Sequence, residues 1–147
     1  MTPEEAADKP TGLWTCPNCA RHFGRRNQSH ECAPAMSLEE YLSTGPAHER
    51  PIVETLLPWL STLGPLVIEP VSVGILLKHN RSFAELRPMT RWVAVWFAPP
   101  QPVDHPRIAR RVRGSGGTTW HVVNVAHPDE IDSVLCEWLT AAYLAAG

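Results

Sequence analysis

The 147-residue chain predicts an α+β protein, a small cysteine-bearing unit at its N-terminal end followed by a mostly antiparallel sheet of about five strands covered by helices. Three observations carry this expectation. Apolar residues recur at helical spacing through Ile52, Val53, Leu56, Leu57, Leu60 and Leu63, and again through Ile131, Val134, Leu135, Trp138, Leu139 and Ala142. Between residues 66 and 125 the pattern turns to short branched and aromatic runs. Cys16, Cys19 and Cys32 crowd together ahead of both patterns.

Residues 1–12 are polar, acidic and Pro-containing with no face to bury, which predicts a flexible tail. Residues 13–33 form the cysteine-bearing finger and 34–147 the α+β domain. Ser37 followed by Glu40 is a capping-box pair for a short helix ending at Gly45. The next helix opens at Pro51, is kinked by Pro58 and stops at Gly64-Pro65. Strands are expected over 66–69, 73–78, 82–87, 91–97 and 118–125, with Asn80 and Pro88 in turns. Asp104 and Pro106 read as the cap and first turn of a short basic helix through Arg111, and Gly114-Ser-Gly-Gly117 as a flexible return. A last helix starts at Pro128, with Asp129, Glu130 and Asp132 at its positive end.

Composition narrows the function classes. Apolar residues make up 44% and charged residues 19%, which excludes a wholly disordered chain, and 15 prolines predict many interrupted elements. The balance of 13 basic against 15 acidic residues, a formal charge of -2, excludes a generic polycation. The terms are unevenly spread: the basic excess falls on the finger and the sheet region, and the tail and helical segments are acidic. The longest mostly apolar run, Trp92 to Pro100, falls short of the ~20 residues that span a bilayer, so no membrane association is expected. The N-terminal segment has no basic start followed by an apolar stretch, which makes a cytoplasmic setting the expectation.

Cys16-Pro17-Asn18-Cys19, followed after ten residues by His30-Glu31-Cys32, offers three thiols and an imidazole, a donor set suited to tetrahedral Zn2+. Phe23 follows Cys19 at the separation that fills the small core of a zinc finger, although the segment before His30 and the His-Cys pair are both abbreviated. A redox Cys-x-x-Cys would not need His30 and Cys32 nearby. His22 is a substitute ligand candidate, and Cys136, off the stripe of the last helix, reads as a structural thiol. Four filled positions leave no opening for water, so the zinc role is structural rather than catalytic. Between the ligand pairs lie Arg21, Arg25, Arg26, Asn27 and Gln28, residue types that contact phosphate and base edges of DNA or RNA. The competing reading is a finger docked on its own domain or on another protein.

These residues resemble the family known as domain of unknown function 5655. The resemblance is carried by Trp14-Thr-Cys-Pro-Asn-Cys19, Phe23, Asn27-Gln-Ser-His-Glu-Cys32, Asp104-His-Pro-Arg107, His121 and Pro128-Asp-Glu-Ile-Asp132. It implies Cys16, Cys19, His30 and Cys32 as ligands and an α+β fold, and it supplies no activity. Ala20 stands where such fingers often carry glycine.

In the sheet region, alternation sets Trp92 and Trp96 on the face opposite Val93, Val95 and Phe97. Lys78, Arg81, Arg87 and Arg91 ring that face, so a base-stacking, phosphate-holding platform is one expectation, and a second covered core layer is the other. Glu85, His105, Arg107 and His121 would make a small polar pocket for a ligand or a reaction if they converged. No nucleophile elbow, Walker loop, dinucleotide fingerprint or zinc-protease motif is present, which makes a binding module the leading expectation, with nucleic acid ahead of a protein partner.

Overall fold

The computed structural model describes residues 13–27, 32 and 36–147. A two-stranded hairpin, β1 (Trp14–Thr15) and β2 (His22–Phe23), precedes α1 (Leu38–Thr44) and α2 (Glu49–Ser61). Then come β3 (Val67–Val71), β4 (Gly74–Lys78), β5 (Ser82–Pro88), β6 (Val93–Phe97), β7 (Arg110–Arg113), β8 (Thr119–Val125) and α3 (Ser133–Ala145). The main sheet is six-stranded and antiparallel in the order β3-β4-β5-β6-β8-β7, so the expected α+β class holds.

The helices start and stop where local chemistry dictates. Ser37 Oγ accepts the Glu40 amide at 3.1 Å, and Gly45 closes α1 as expected. Pro51 lies in the first turn of α2, which begins two residues before it, and Pro58 lies on its exposed side. The expected start of α3 at Pro128 is corrected. Residues Pro128–Glu130 form a separate 3-10 turn, and Asp132 then caps α3 by accepting the Leu135 amide at 3.0 Å. The short carboxylate competes for backbone donors and restarts the helix.

The basic helix expected through Arg111 is also corrected: one turn near His105 and Ile108 leads into β7, a sixth strand, paired with β8. A short helix with no apolar stripe is marginal alone, and strand pairing supplies the backbone partners it lacks. The glycine return is a tight hairpin turn, in which Gly116 and Gly117 have φ of 69° and 79°, values that favour glycine.

The helices cover one face of the sheet. Ile75, Leu86, Val95 and Val123 form one cross-strand row on that face, with Leu77, Ala84, Phe97 and His121 forming the next. The register slips between Leu77 and Lys78, leaving Phe83 as an extra residue on β5. A bulge of this kind turns two successive side chains inward, and Phe83 meets Tyr143 edge-on at 5.4 Å. Trp138 stacks over Phe97 at 5.8 Å.

The β4–β5 turn holds the end of α3. Asn80 and Arg81 amides donate to the Ala146 carbonyl at 3.0 and 3.2 Å, and the Arg81 guanidinium donates to the Ala145 carbonyl. His79 stacks on Tyr143 at 3.9 Å. Helix-end carbonyls that would otherwise lack partners are thus satisfied.

At the start of α2, Glu49 is fully buried, with Oε2 taking the Tyr41 hydroxyl at 2.5 Å and Oε1 meeting no hydrogen-bond donor among the described residues. Burial raises its pKa, opposed by the Tyr41 bond and by His48. A carboxyl that holds its proton more tightly folded than unfolded loses stability as pH rises from the ordinary glutamate range through the raised value. Glu49→Gln is expected to remove this decline, so that the variant gains on the wild type with rising pH. Urea unfolding at steps between about pH 4 and pH 8 checks this, and a constant difference between the two proteins over that range contradicts it.

Candidate metal centre

The β1–β2 hairpin pairs Trp14 with Phe23 and Thr15 with His22, which bends residues 16–21 into a knuckle. The Cys16 amide donates to the Arg21 carbonyl at 2.9 Å and the Ala20 amide to the Cys16 carbonyl at 2.8 Å. Ala20 closes the turn at φ 62°, a left-handed conformation costing an L-residue about 1–2 kcal/mol, which is why glycine suits this place. The knuckle brings the Cys16, Cys19 and Cys32 sulfurs within 4.8 Å of one another, with Cys16 and Cys32 at 3.6 Å. Thiolates bound at 2.3 Å around a tetrahedral metal sit about 3.7 Å apart, so this donor set fits a metal ion.

His30 and Gln28 lie outside the described residues. His22, the substitute candidate, pairs its Nδ1 with Thr15 Oγ1 at 2.8 Å. Cys16 is held well below the usual thiol range, first by the Cys19 amide and against the effect of burial, whereas hydrogen bonding to Cys16 and burial push Cys32 up. One proton shared between two sulfurs is the arrangement a cation displaces. Cys136 is half-buried on α3, and burial raises its pKa.

The knuckle is seated on the sheet face opposite the helices. Glu69, 3% exposed on β3, accepts from Arg21 Nε at 3.1 Å, the His22 amide at 2.8 Å and Lys78 Nζ at 2.9 Å. Lys78 also donates to the His22 carbonyl and lies 4.0 Å from the centre of the Phe23 ring. Gly24 lies against the β4–β5 turn, where a Cβ would come 2.8 Å from the Asn80 carbonyl oxygen. Burial alone would raise the Glu69 pKa, but the His22 amide, Lys78 and Arg21 outweigh it and hold the carboxyl ionised. Burial draws the Lys78 pKa down against the pull of Glu69 and Cys19. Two cations around one carboxylate leave an excess positive charge beside the sulfurs, which favours thiolates.

This placement reassigns part of the expected cationic surface. Arg21 and Lys78 are buried and bind Glu69, Arg81 holds the end of α3, and Arg87 pairs with Glu85 at 2.8 Å. Arg87 and Arg110 guanidiniums lie 5.0 and 4.9 Å from the Trp96 ring centre, so the indole is covered rather than offered to a base. Trp92 is 37% exposed, and Arg25, Arg26, Asn27 and Arg91 are exposed.

The four candidates for a polar pocket do not converge. Glu85 shares a cross-strand row with Trp96 and Val122, which puts it on the opposite sheet face from His121. His121 is fully buried: its Nε2 accepts the Val103 amide at 2.8 Å, so its Nδ1 carries the proton toward the Thr119 carbonyl. Burial depresses its pKa and keeps it neutral. His105 packs against Trp138 at 5.0 Å, and Arg107 binds Asp132 at 2.7 Å. None of the four lines the ≈ 560 Å³ cleft between the end of α3, Pro99 and Trp120.

Sequence reasoning missed Glu69 and Arg110. The one signal for Glu69 is a lone carboxylate inside the apolar run Val67-Ile-Glu-Pro-Val71. Removing it leaves two buried cations without a counter-ion, so Glu69→Gln is expected to cost about 3–5 kcal/mol of stability and to speed exchange of the His22 amide. Denaturant unfolding and amide exchange check this, and a loss below about 1 kcal/mol would show the knuckle seated by other contacts.

The match to known proteins falls on the segment after the knuckle. The profile of a family described as domain of unknown function (DUF5655) matches residues 38–146, from the start of α1 to the end of α3. No curated protein and no solved structure matches the chain. Covering well over half of the sequence, the profile match establishes that the chain belongs to the DUF5655 family.

Proposed function

We propose that the protein is a zinc-stabilised protein-interaction module, in which Cys16, Cys19, Cys32 and His30 hold one structural Zn2+ and the sheet domain presents the binding surface. The convergence of three thiols within 4.8 Å, on a knuckle fastened to the sheet through Glu69, carries this reading. Zinc suits a set of soft thiolates completed by an imidazole, and four protein ligands leave it a scaffold rather than a reactive centre. Glu85 lies on the sheet face opposite His121, and Arg107 and His105 are engaged with Asp132 and Trp138, which favours binding over catalysis.

Native mass spectrometry is expected to find one zinc per chain. Cobalt substitution is expected to give the intense visible bands of a tetrahedral sulfur-rich site, lost in Cys19→Ser and shifted in His30→Ala. A protein without retained metal, or a weak six-coordinate cobalt spectrum, would contradict the assignment. An unchanged spectrum in His30→Ala would move the fourth ligand elsewhere.

Nucleic acid is the second reading, favoured by the exposed Arg25 and Arg26 in the turn after β2 and Arg91 in the β5–β6 turn. Phosphate contacts release counterions, so affinity for single-stranded DNA or RNA should fall steeply with salt, by about the 0.7 power of the salt concentration per contact. Fluorescence anisotropy with Arg25→Ala/Arg26→Ala checks it: this reading requires a shallower salt slope, and an affinity equal to wild type excludes knuckle-mediated binding.

A further inference from the structure

The two edges of the six-stranded sheet are built differently. On β3, Pro70 has no N–H to offer and its carbonyl accepts the Met36 amide at 2.9 Å, so the edge is blunted. On β7, all four residues are exposed, and strand pairing among the described residues occupies only the side facing β8.

The pairing pattern identifies the open groups. Gly114 donates to the Thr118 carbonyl, and the register sets Val112 opposite Trp120 and Arg110 opposite Val122. Alternate residues of an antiparallel strand point their amides and carbonyls to the same side. Gly114, Val112 and Arg110 therefore turn toward β8, and the N–H and C=O groups of Arg111 and Arg113 turn outward.

The side chains add a charge signature. Arg111 and Arg113 share one face of the strand, so two guanidiniums flank the open edge there, and on the other face Arg110 turns inward with its guanidinium over the Trp96 ring of β6. None of the three forms an ion pair within 4.0 Å among the described residues, and the nearby Glu85 is taken by Arg87. Val112 adds a partly exposed apolar side chain beside Arg110.

We infer that β7 receives an extended acidic segment of a partner protein as a seventh strand of the sheet. The inference rests on the interaction-module reading and names its partner class. Main-chain pairing to Arg111 and Arg113 supplies affinity, and carboxylates at alternating positions on the face shared with those two arginines supply selectivity, with apolar side chains beside Val112 on the other. A second copy of the same edge would bring arginine against arginine, which opposes self-pairing. A polyphosphate chain would set its negative charge against the outward carbonyls and leave them unpaired.

The test uses the zinc-loaded full chain, 15N-labelled, and three synthetic octapeptides: one alternating Glu with Val, one alternating Lys with Val, and the Glu peptide with a central proline. The Glu peptide is expected to shift the amides of β7 and β8 and to slow exchange at Arg111 and Arg113. The Lys and proline peptides are expected to bind at least tenfold more weakly. Arg111→Glu/Arg113→Glu, exposed substitutions that leave the core untouched, should reverse the preference toward the Lys peptide. Absence of Glu-peptide binding overturns the inference, as does equal binding of the proline peptide, which would mean charge attraction without strand pairing. Slowed exchange at Arg111 and Arg113 on adding oligothymidylate in place of peptide also overturns it. Zinc content measured in the same samples separates the two readings: loss of metal counts against the metal assignment, and failure at β7 with zinc retained counts against this edge alone.

Discussion

The seat of the knuckle on the second face of the sheet depends on one buried carboxylate. Glu69 collects a guanidinium and a backbone amide from the knuckle and an ammonium from β4, so donors from two separate units meet on one acceptor. A buried ion pair adds little stability compared with well-packed apolar residues, because both charges must be stripped of water. Its value here is direction. Among the described residues the knuckle's own core is Cys16, Cys19 and Phe23 with Trp14 alongside, too little apolar surface to select one seat on a sheet. Three donors converging on one carboxylate select it, and Lys78 over the Phe23 ring extends the contact.

The same sheet is sealed by different means on its two sides. On the helix side, the extra residue in β5 swings Phe83 inward beside Ala84, filling the space under Tyr143 with apolar volume. On the other side, polar groups do the covering: the knuckle sits over β3 and β4, and arginines flank Trp96 farther along. An apolar layer tolerates rearrangement of similar volumes, whereas a polar layer fails when one partner is lost. The knuckle side is thus the more specific of the two surfaces and the more fragile.

Much of this was legible from residue order. The apolar stripes of α2 and α3, the Ser37 cap and five of the six main-sheet strands follow from periodicity and turn chemistry, because these elements bury one face along their length. The cysteine cluster was legible because a Cys-x-x-Cys pair with a third thiol close by is a recognisable metal-ligand spacing. β7 was not, since Arg-Arg-Val-Arg has neither alternation nor an apolar stripe and becomes a strand only through β8. The inward turn of Arg21 and Lys78 was equally hidden: their common acceptor is 48 residues from Arg21 in the sequence. Local pattern reports which face an element buries, not which distant charge will meet it. Glu85 drops out of the expected polar pocket for a related reason, since the register running from β5 through β6 to β8 sets it on the face opposite His121.

The β4–β5 turn joins parts of the chain that are far apart in sequence. Asn80 and Arg81 grip the last turn of α3 with their amides, while the Asn80 carbonyl abuts Gly24 of the knuckle. The end of the C-terminal helix and the glycine that follows β2 are thus both held by two residues of one hairpin. A fusion or tether at that helix pulls on the same turn that the knuckle leans against. The rim of the sheet at this point is a shared clamp, holding the helix end by hydrogen bonds and Gly24 by close approach.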